Sequence, residues 1–304
     1  METENRTLAD RTREYNEFGP WIISITEPEM MPALFRPFYR ETENPLMLIK
    51  IPRKIERRAA SPMMDLYDFV IGAFDKYLYI LRRNAKNVTA KTVDYRDIMA
   101  VKRSHAILKG ELTLFLPDEQ IKIAYSTVSD DIVLELIRLI QEKQAAADNT
   151  MLQWENLFGE YEPFESGAMD LYYENLCEKL KAGNGGLKLL AYQPEICVGR
   201  YSAKFITRLI YKKIRMTRCA FLSDGRVLAV IGSDMTARNR TVDKIAYYYL
   251  FINIAGISSV HITDYNVKKR LQRLEIHVSR DVFGFLYDSQ NGRVVSLAGQ
   301  LSVV

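Results

Sequence analysis

Apolar residues alternate with polar ones in two short runs near the middle of the chain, at Leu112, Leu114 and Leu116 and at Ile121, Ile123 and Tyr125. A period of two marks strands with one buried face, and the polar turn Pro117-Asp118-Glu119 between the runs predicts a hairpin. Beyond it the spacing lengthens. Ile132, Val133, Leu136, Ile137, Leu139 and Ile140 recur at helical intervals after Asp130 and Asp131, which favour a helix N-terminus. Thr127 or Ser129 can cap that helix.

The same pattern returns 162 residues later, without a gap. Leu274, Ile276, Val278, Phe283, Phe285, Tyr287, Val294, Val295, Ala298 and Leu301 match Leu112, Leu114, Leu116, Ile121, Ile123, Tyr125, Ile132, Val133, Leu136 and Leu139, with Ser279-Arg280-Asp281 as the second turn. The match extends backward with loops of unequal length. Asp75 to Ile80 corresponds to Asp224 to Val230, where Asp224-Gly225 is a hairpin signal, and Ile98 to Val101 corresponds to Ile257 to Val260. The chain therefore reads as a duplication, and all ten paired positions are expected to face inward. Ile132, Leu136 and Ile140 are expected to close the first sheet.

One stretch imitates a membrane span. Between Lys244 and Asp264 lie 19 uncharged residues. Tyr, Phe and Ile dominate it, Gly256 interrupts it, and Ile257 and Val260 match a polar-flanked segment of the first copy, so it reads as buried strands bent at the glycine.

Four regions follow. Residues 1–44 are a lead-in with a short polar helix, a strand-like Trp21 to Ile25 and a proline-interrupted segment; 45–147 form a first module. Residues 148–186 are a connector with two helices around Trp154 and Tyr172, ending in Gly183-Asn184-Gly185-Gly186; 187–304 form a second module. Several short strands followed by one amphipathic helix, about a hundred residues per copy, describe a curled antiparallel sheet or barrel whose open end the helix covers. This order resembles the pleckstrin-homology-like superfold, and more closely its bacterial-type members. The fold expectation is thus mainly β (α+β overall), two pleckstrin-homology-like modules in tandem, each capped by a C-terminal helix, with a helical connector. The sequence departs from the usual pattern in one respect: Trp21 and Trp154 both lie outside the capping helices.

Composition is that of an ordinary globular protein, with 48% hydrophobic and 26% charged residues among 304. Cys177, Cys197 and Cys219 have no paired spacing, which favours reduced thiols, and the polar N-terminus has no apolar leader run. Both point to the cytoplasm, with the inner face of the membrane as a place for peripheral attachment. Charge is unevenly divided. Residues 187–304 carry 18 Lys and Arg against 8 Asp and Glu, a net of +10, whereas residues 151–186 carry 2 against 7, a net of −5. A basic field draws anions: lipid headgroups, nucleic acid, an acidic protein or the connector itself.

Three basic clusters are candidate anion sites. Lys204, Arg208, Lys212 and Arg215 would share one face of an amphipathic helix, with Phe205, Ile206, Leu209 and Ile210 on another. Lys50 begins a second cluster that continues through Arg53, Lys54, Arg57 and Arg58. Lys268, Lys269 and Arg270 sit with Arg273 in the turn before the repeated strand, where the first copy has Lys102, Arg103 and Lys109. Lys213-Ile214-Arg215 matches the Lys/Arg-x-Arg fragment that lipid-binding members of the superfold carry near their first hairpin.

Catalytic signatures are missing. His105, His261 and His277 are scattered, no Cys-x-x-Cys, His-Glu-x-x-His or Gly-x-Ser-x-Gly occurs, and the glycine linker lacks the Lys-Ser/Thr of a phosphate loop. Tyr247-Tyr248-Tyr249 could stack bases, but strand alternation sends Tyr248 to the opposite face from its neighbours. The expectation is a non-catalytic binding protein without cofactor or metal, docking an anionic membrane surface or a protein partner, with self-association a further option. The alternative is a nucleic-acid-associated protein using the basic second module.

Overall fold

A computed structural model describes residues 8–39, 44–85, 87–147, 169–184, 186–201, 213–238 and 241–301. Among these residues are fifteen strands and four α-helices, and the strand pairings between them are antiparallel. The strands form open sheets of five, seven and three, and none closes into a barrel. The chain divides into two compact units, residues 1–97, 108–112 and 123–147, and residues 98–107, 113–122 and 148–304.

In the first unit, β1 (Ile23–Ser24), β2 (Met47–Pro52), β3 (Tyr67–Ala73), β4 (Tyr77–Asn84) and β5 (Asn87–Asp94) pair in chain order. The lead-in is not an appendage. Helix α1 (Leu8–Glu17) buries no residue of its own, but Phe18, Ile25, Met31 and Phe35 after it pack with Leu48, Val70 and Leu81 of the sheet. Lys50 lies directly across from Val70, on that covered face. Its ammonium is fully buried, bonded to Glu17 Oε2 at 2.6 Å and to the Met30 carbonyl at 2.9 Å, 4.9 Å from the Tyr67 ring centroid. Lys50 is therefore a core residue and does not belong to the exposed basic cluster read from the sequence. Burial raises the Tyr67 hydroxyl pKa, and the Glu17 charge adds to the effect.

Helix α2 (Asp130–Ala147) buries Val133, Leu136, Ile137 and Ile140, leaving Ile132 half-buried. Ser129 does not cap it. The Ser129 hydroxyl accepts instead from the Ile22 N–H at 2.8 Å. Further along, Gln144 donates to the Tyr95 carbonyl at 3.1 Å and Lys143 pairs with Asp75 at 2.6 Å, so the helix is tied down at both ends.

The seven-stranded sheet runs β8-β7-β6-β12-β11-β10-β9, from β6 (Ala100–Ala106), β7 (Lys109–Phe115), β8 (Gln120–Ser126), β9 (Lys188–Tyr201), β10 (Lys213–Ser223), β11 (Val227–Arg238) and β12 (Thr241–Asn253). Helix α3 (Leu171–Gly183) precedes β9 and buries Tyr173, Leu176, Cys177 and Leu180; Trp154, the other predicted helix centre of the connector, lies outside the described residues. Strands β13 (Ile257–Asn266), β14 (Leu271–Val278) and β15 (Asp281–Asp288) form the third sheet, and α4 (Gly292–Leu301) follows. The long uncharged stretch is indeed two strands, bent at a 3-10 turn over Ile254–Gly256, though only β12 is buried there and β13 is largely exposed. No helix among the described residues is long and apolar enough to cross a membrane. Asp224-Gly225 makes the expected turn: Gly225 has φ 88°, and Asp224 Oδ1 accepts from the N–H groups of Arg226 and Val227 at 2.9 and 2.8 Å.

The succession of four strands, three strands and a helix thus occurs twice, as β2–β5, β6–β8, α2 and as β9–β12, β13–β15, α4. The six strand positions of the sequence match are buried at both places, Leu112 to Tyr125 and Leu274 to Tyr287. The helices obey a different register. The second stripe is Val294, Leu297, Ala298 and Leu301, which matches Val133, Leu136, Ile137 and Ile140 at an offset of 161, and Val295 is 38% exposed. The expectation that every paired position faces inward fails at Val295, and Ile132 and Leu139 are only half-buried. One residue is 100° of helix, so a displacement of one step swaps which side chains meet the sheet. Asn291 starts the helix, its side chain accepting from the Val294 N–H at 3.3 Å.

Candidate functional site

Within the first unit a cleft of about 600 Å³ opens beside the β2–β3 connection. Pro52 ends β2, and the Arg53 N–H donates to the Leu66 carbonyl at 2.9 Å, so the intervening residues leave the sheet as a closed loop. Phe18, Pro20, Pro52, Ile55, Leu108 and Tyr125 supply apolar walls, and Arg53, Lys54, Arg57, Lys109 and Glu56 supply the charged part of the lining. Tyr125 lies flat against Gly110, where a Cβ would come within 2.3 Å of the ring, and its hydroxyl bonds to Asp130 Oδ1 at 2.8 Å. Gly110 is thus required by close approach, and Tyr125 is a fixed wall.

The cations of this cleft differ in what holds them. Arg53 donates to the Asp65 carbonyl at 2.9 Å, and its Nε is 4.0 Å from Asp68. Arg57 donates to the carbonyls of Tyr15 and Phe18 and stacks on the Tyr15 ring at 4.0 Å. Both arginines are structural arms of the loop. Arg58 pairs with Glu56 and does not line the cleft. Lys54 and Lys109 are exposed and make no ion pair among the described residues. Lys109 follows Ile107 and Leu108, the tip of the β6–β7 hairpin, which are 79% and 68% exposed. Sequence reasoning reached Lys54 through its charge run; it missed Leu108 and the walls from Phe18 and Pro20, since their convergence is a matter of tertiary structure.

The turn between β13 and β14, in the second unit, carries Lys268 and Lys269 on a 3-10 turn (Val267–Lys269) and Arg270 in the left-handed conformation, φ 56°. Asn266 accepts from the Lys269 N–H at 3.2 Å, and Lys269 Nζ reaches the Cys197 carbonyl at 3.3 Å. Val267 projects here, 75% exposed. Of the first expected cluster, only Arg215 lies among the described residues. Lys204, Arg208 and Lys212 lie outside the described residues, and Arg215 belongs to β10, opposite Thr236 of β11, so it cannot share a helical face with them. The segment Ile214-Arg215-Met216-Thr217 fits a period of two as well as one of 3.6, and its antiparallel neighbours β9 and β11 decide for the strand.

The aromatic run of β12 is engaged inside the second unit. Arg103 is buried with its guanidinium 5.8 Å from the Tyr247 ring and 5.1 Å from Tyr249, and His105 stacks on Tyr247 at 4.6 Å. Tyr248 turns to the other face, over Gly232 and 4.6 Å from Lys102 Nζ. Nearby, Asp170 caps α3 by accepting from the Tyr172 and Tyr173 N–H groups and pairs with Arg218, which lies 4.3 Å from the Tyr173 ring centroid. These cation–π contacts occupy the ring faces that base stacking would use. Lys102 and Arg103 are accordingly partners of tyrosines.

The cleft lining holds one carboxylate, Glu56, and no histidine or cysteine. Burial pushes the Cys177 thiol up to about 12 and raises that of Cys219 as well, which keeps both protonated and unreactive. Among the described residues no group of three His, Cys, Asp or Glu side chains could hold a metal ion.

No protein-family model matches the chain, and no curated protein matches it. Among solved structures it is similar to a DUF1696 family protein with a pleckstrin-homology domain from Shewanella loihica PV-4, at 13% identity, over 41% of this chain and 99% of that one, with a TM-score of 0.26. So slight a likeness carries no argument for fold or function.

Proposed function

We propose that this chain is a non-catalytic docking protein built from two pleckstrin-homology-like modules, residues 45–147 and 187–304, which attach it to an anionic membrane surface. One observation carries the reading. The same hairpin turn of each copy exposes apolar side chains next to bases: Ile107 and Leu108 before Lys109, and Val267 before Lys268, Lys269 and Arg270. Apolar tips enter the headgroup boundary while adjoining cations meet anionic lipid, and each Lys or Arg near such a surface contributes about 1 kcal/mol. In the first module the cleft beside Lys54 and Lys109 offers a place for a headgroup. Lys204, Arg208, Lys212 and Arg215 of the second module remain proposed contributors to its basic field.

The test is co-sedimentation of the full chain with phosphatidylcholine vesicles, with and without phosphatidylserine. Binding is expected only with the anionic lipid. It should fall as the screening length drops from about 8 Å at physiological salt to about 3 Å at 1 M. Removing two cations with Lys54→Ala and Lys109→Ala should weaken it by about 2 kcal/mol, roughly thirtyfold. Retention by a single-stranded oligonucleotide without vesicle binding would turn the reading to nucleic acid. Indifference to both would turn it to a protein partner.

A further inference from the structure

Among the described residues, one strand edge of the chain is paired internally, and the two counterpart strands are the terminal strands of their sheets. Strand β6 of the first copy bonds to β12 of the second, in six successive pairs from Ala100↔Ile252 to His105↔Tyr247. The copy-related positions are found at one offset. Strand β5 ends at Asp94, a 3-10 turn covers Tyr95–Asp97, and β6 follows; β12 ends at Asn253, a 3-10 turn covers Ile254–Gly256, and β13 follows. Each step is 159 residues on, the offset that also relates Ile98 and Val101 to Ile257 and Val260. So β5 is the counterpart of β12, and β13 is the counterpart of β6. Both are terminal strands of their sheets among the described residues.

We infer that β13 of one copy pairs antiparallel with β5 of a second copy of this chain, repeating between molecules the β6–β12 junction within one. The inference rests on the duplication proposed above. Carrying the register over predicts Ser259 opposite Val93, Val260 opposite Thr92, His261 opposite Lys91, Ile262 opposite Ala90, Thr263 opposite Thr89 and Asp264 opposite Val88. Three features of the strands suit this partner. The irregularities of β13 fall between Ile257 and Ser259 and between Asp264 and Asn266, which leaves the six residues Ser259 to Asp264 in regular register. Those six are the counterparts of the six that β6 uses. Neither strand contains the proline by which edge strands commonly block pairing, and β13 exposes Ile262. Ile262 and Thr263 face Ala90 and Thr89, and no two acidic side chains oppose each other. Because the two surfaces differ, the contact is head-to-tail, giving a ring if the rotation closes and a filament if it does not.

The experiment uses the full chain with exposed Cys197 replaced by serine, the other two cysteines being buried. A chain carrying Thr89→Cys and another carrying Thr263→Cys are mixed and oxidised. A disulfide-linked dimer is expected in the mixture and in neither chain alone. Thr89→Cys mixed with Val260→Cys should give none, since three residues of strand displace the thiols by about 10 Å. Sedimentation velocity of the unaltered chain should show mass rising with concentration. Ala90→Lys, at an exposed position, should abolish the rise without altering the melting temperature. A mass independent of concentration, or equal cross-linking in the displaced mixture, overturns the pairing. A monomer that still sediments with anionic vesicles overturns this inference and leaves the membrane reading intact; a self-associating chain indifferent to vesicles does the reverse.

Discussion

Leu297→Ala is expected to destabilise the second copy by about 2–5 kcal/mol, through lost transfer free energy and the cavity left behind. Val295→Ala, two positions earlier, is expected to cost no more than about 0.5 kcal/mol, because that side chain is 38% exposed. Urea unfolding of the full chain followed by circular dichroism reads both. The contrast matters because the 162-residue repeat makes Val295 the counterpart of buried Val133, and Leu297 the counterpart of exposed Glu135. In the first copy Leu136→Ala should cost about as much as Leu297→Ala, and Glu135→Ala almost nothing. A larger loss for Val295→Ala than for Leu297→Ala would mean that α4 follows the strand register, and that the one-step displacement of its buried stripe is wrong.

The second large effect is expected at Glu17. Its carboxylate, 28% exposed, neutralises the fully buried ammonium of Lys50 at 2.6 Å. Glu17→Ala leaves that cation with the Met30 carbonyl and the Tyr67 ring, and breaking a buried pair from one side costs about 3–5 kcal/mol. Glu17→Ala combined with Lys50→Met should recover most of the loss, since an apolar chain of similar length fills the same space without a charge to compensate. The denaturant midpoints of the two single variants and the double variant give the coupling. If the double variant is as unstable as the sum of the singles, the pair is not coupled and the stabilisation comes from packing alone.

Much of the architecture was legible because half-buried strands leave a period of two, and because the two segments matched at 162 residues test each other. Leu112 to Tyr125 and Leu274 to Tyr287 were read as buried strand positions, and they are. The misreadings have local causes. Burial of Lys50 was hidden because its covering layer, Phe18 to Phe35, is irregular chain with no periodicity to announce it. The helical reading of Lys204 to Arg215 rested on steps of three and four residues; Lys204, Arg208 and Lys212 lie outside the described residues, and Arg215 lies in a strand. Ser129, a good cap by residue type, is drawn to Ile22, 107 positions away in sequence. Of the candidate site, charge revealed Lys54 and the Lys268–Arg270 turn. It could not tell that Arg53 and Arg57 are held by backbone carbonyls, nor that Leu108 and Pro20 share a cleft with them. The offset changes from 159 to 162 between β13 and β14, so the three added residues fall at the basic turn itself.

The β6–β12 junction also governs the order in which the chain can fold as it is made. His105 must wait for Tyr247, its partner 142 positions later. At about 5–20 residues per second, translation leaves the outer edge of β6 without its partner for roughly 7–30 s. That interval is far longer than the microseconds in which a hairpin such as β6–β7 forms. During it, a neighbouring nascent chain on the same messenger can offer its own β12 to the waiting strand. Correct assembly then depends on the chain's own later segment arriving at high effective concentration, and slow or crowded synthesis favours exchange of that segment between molecules.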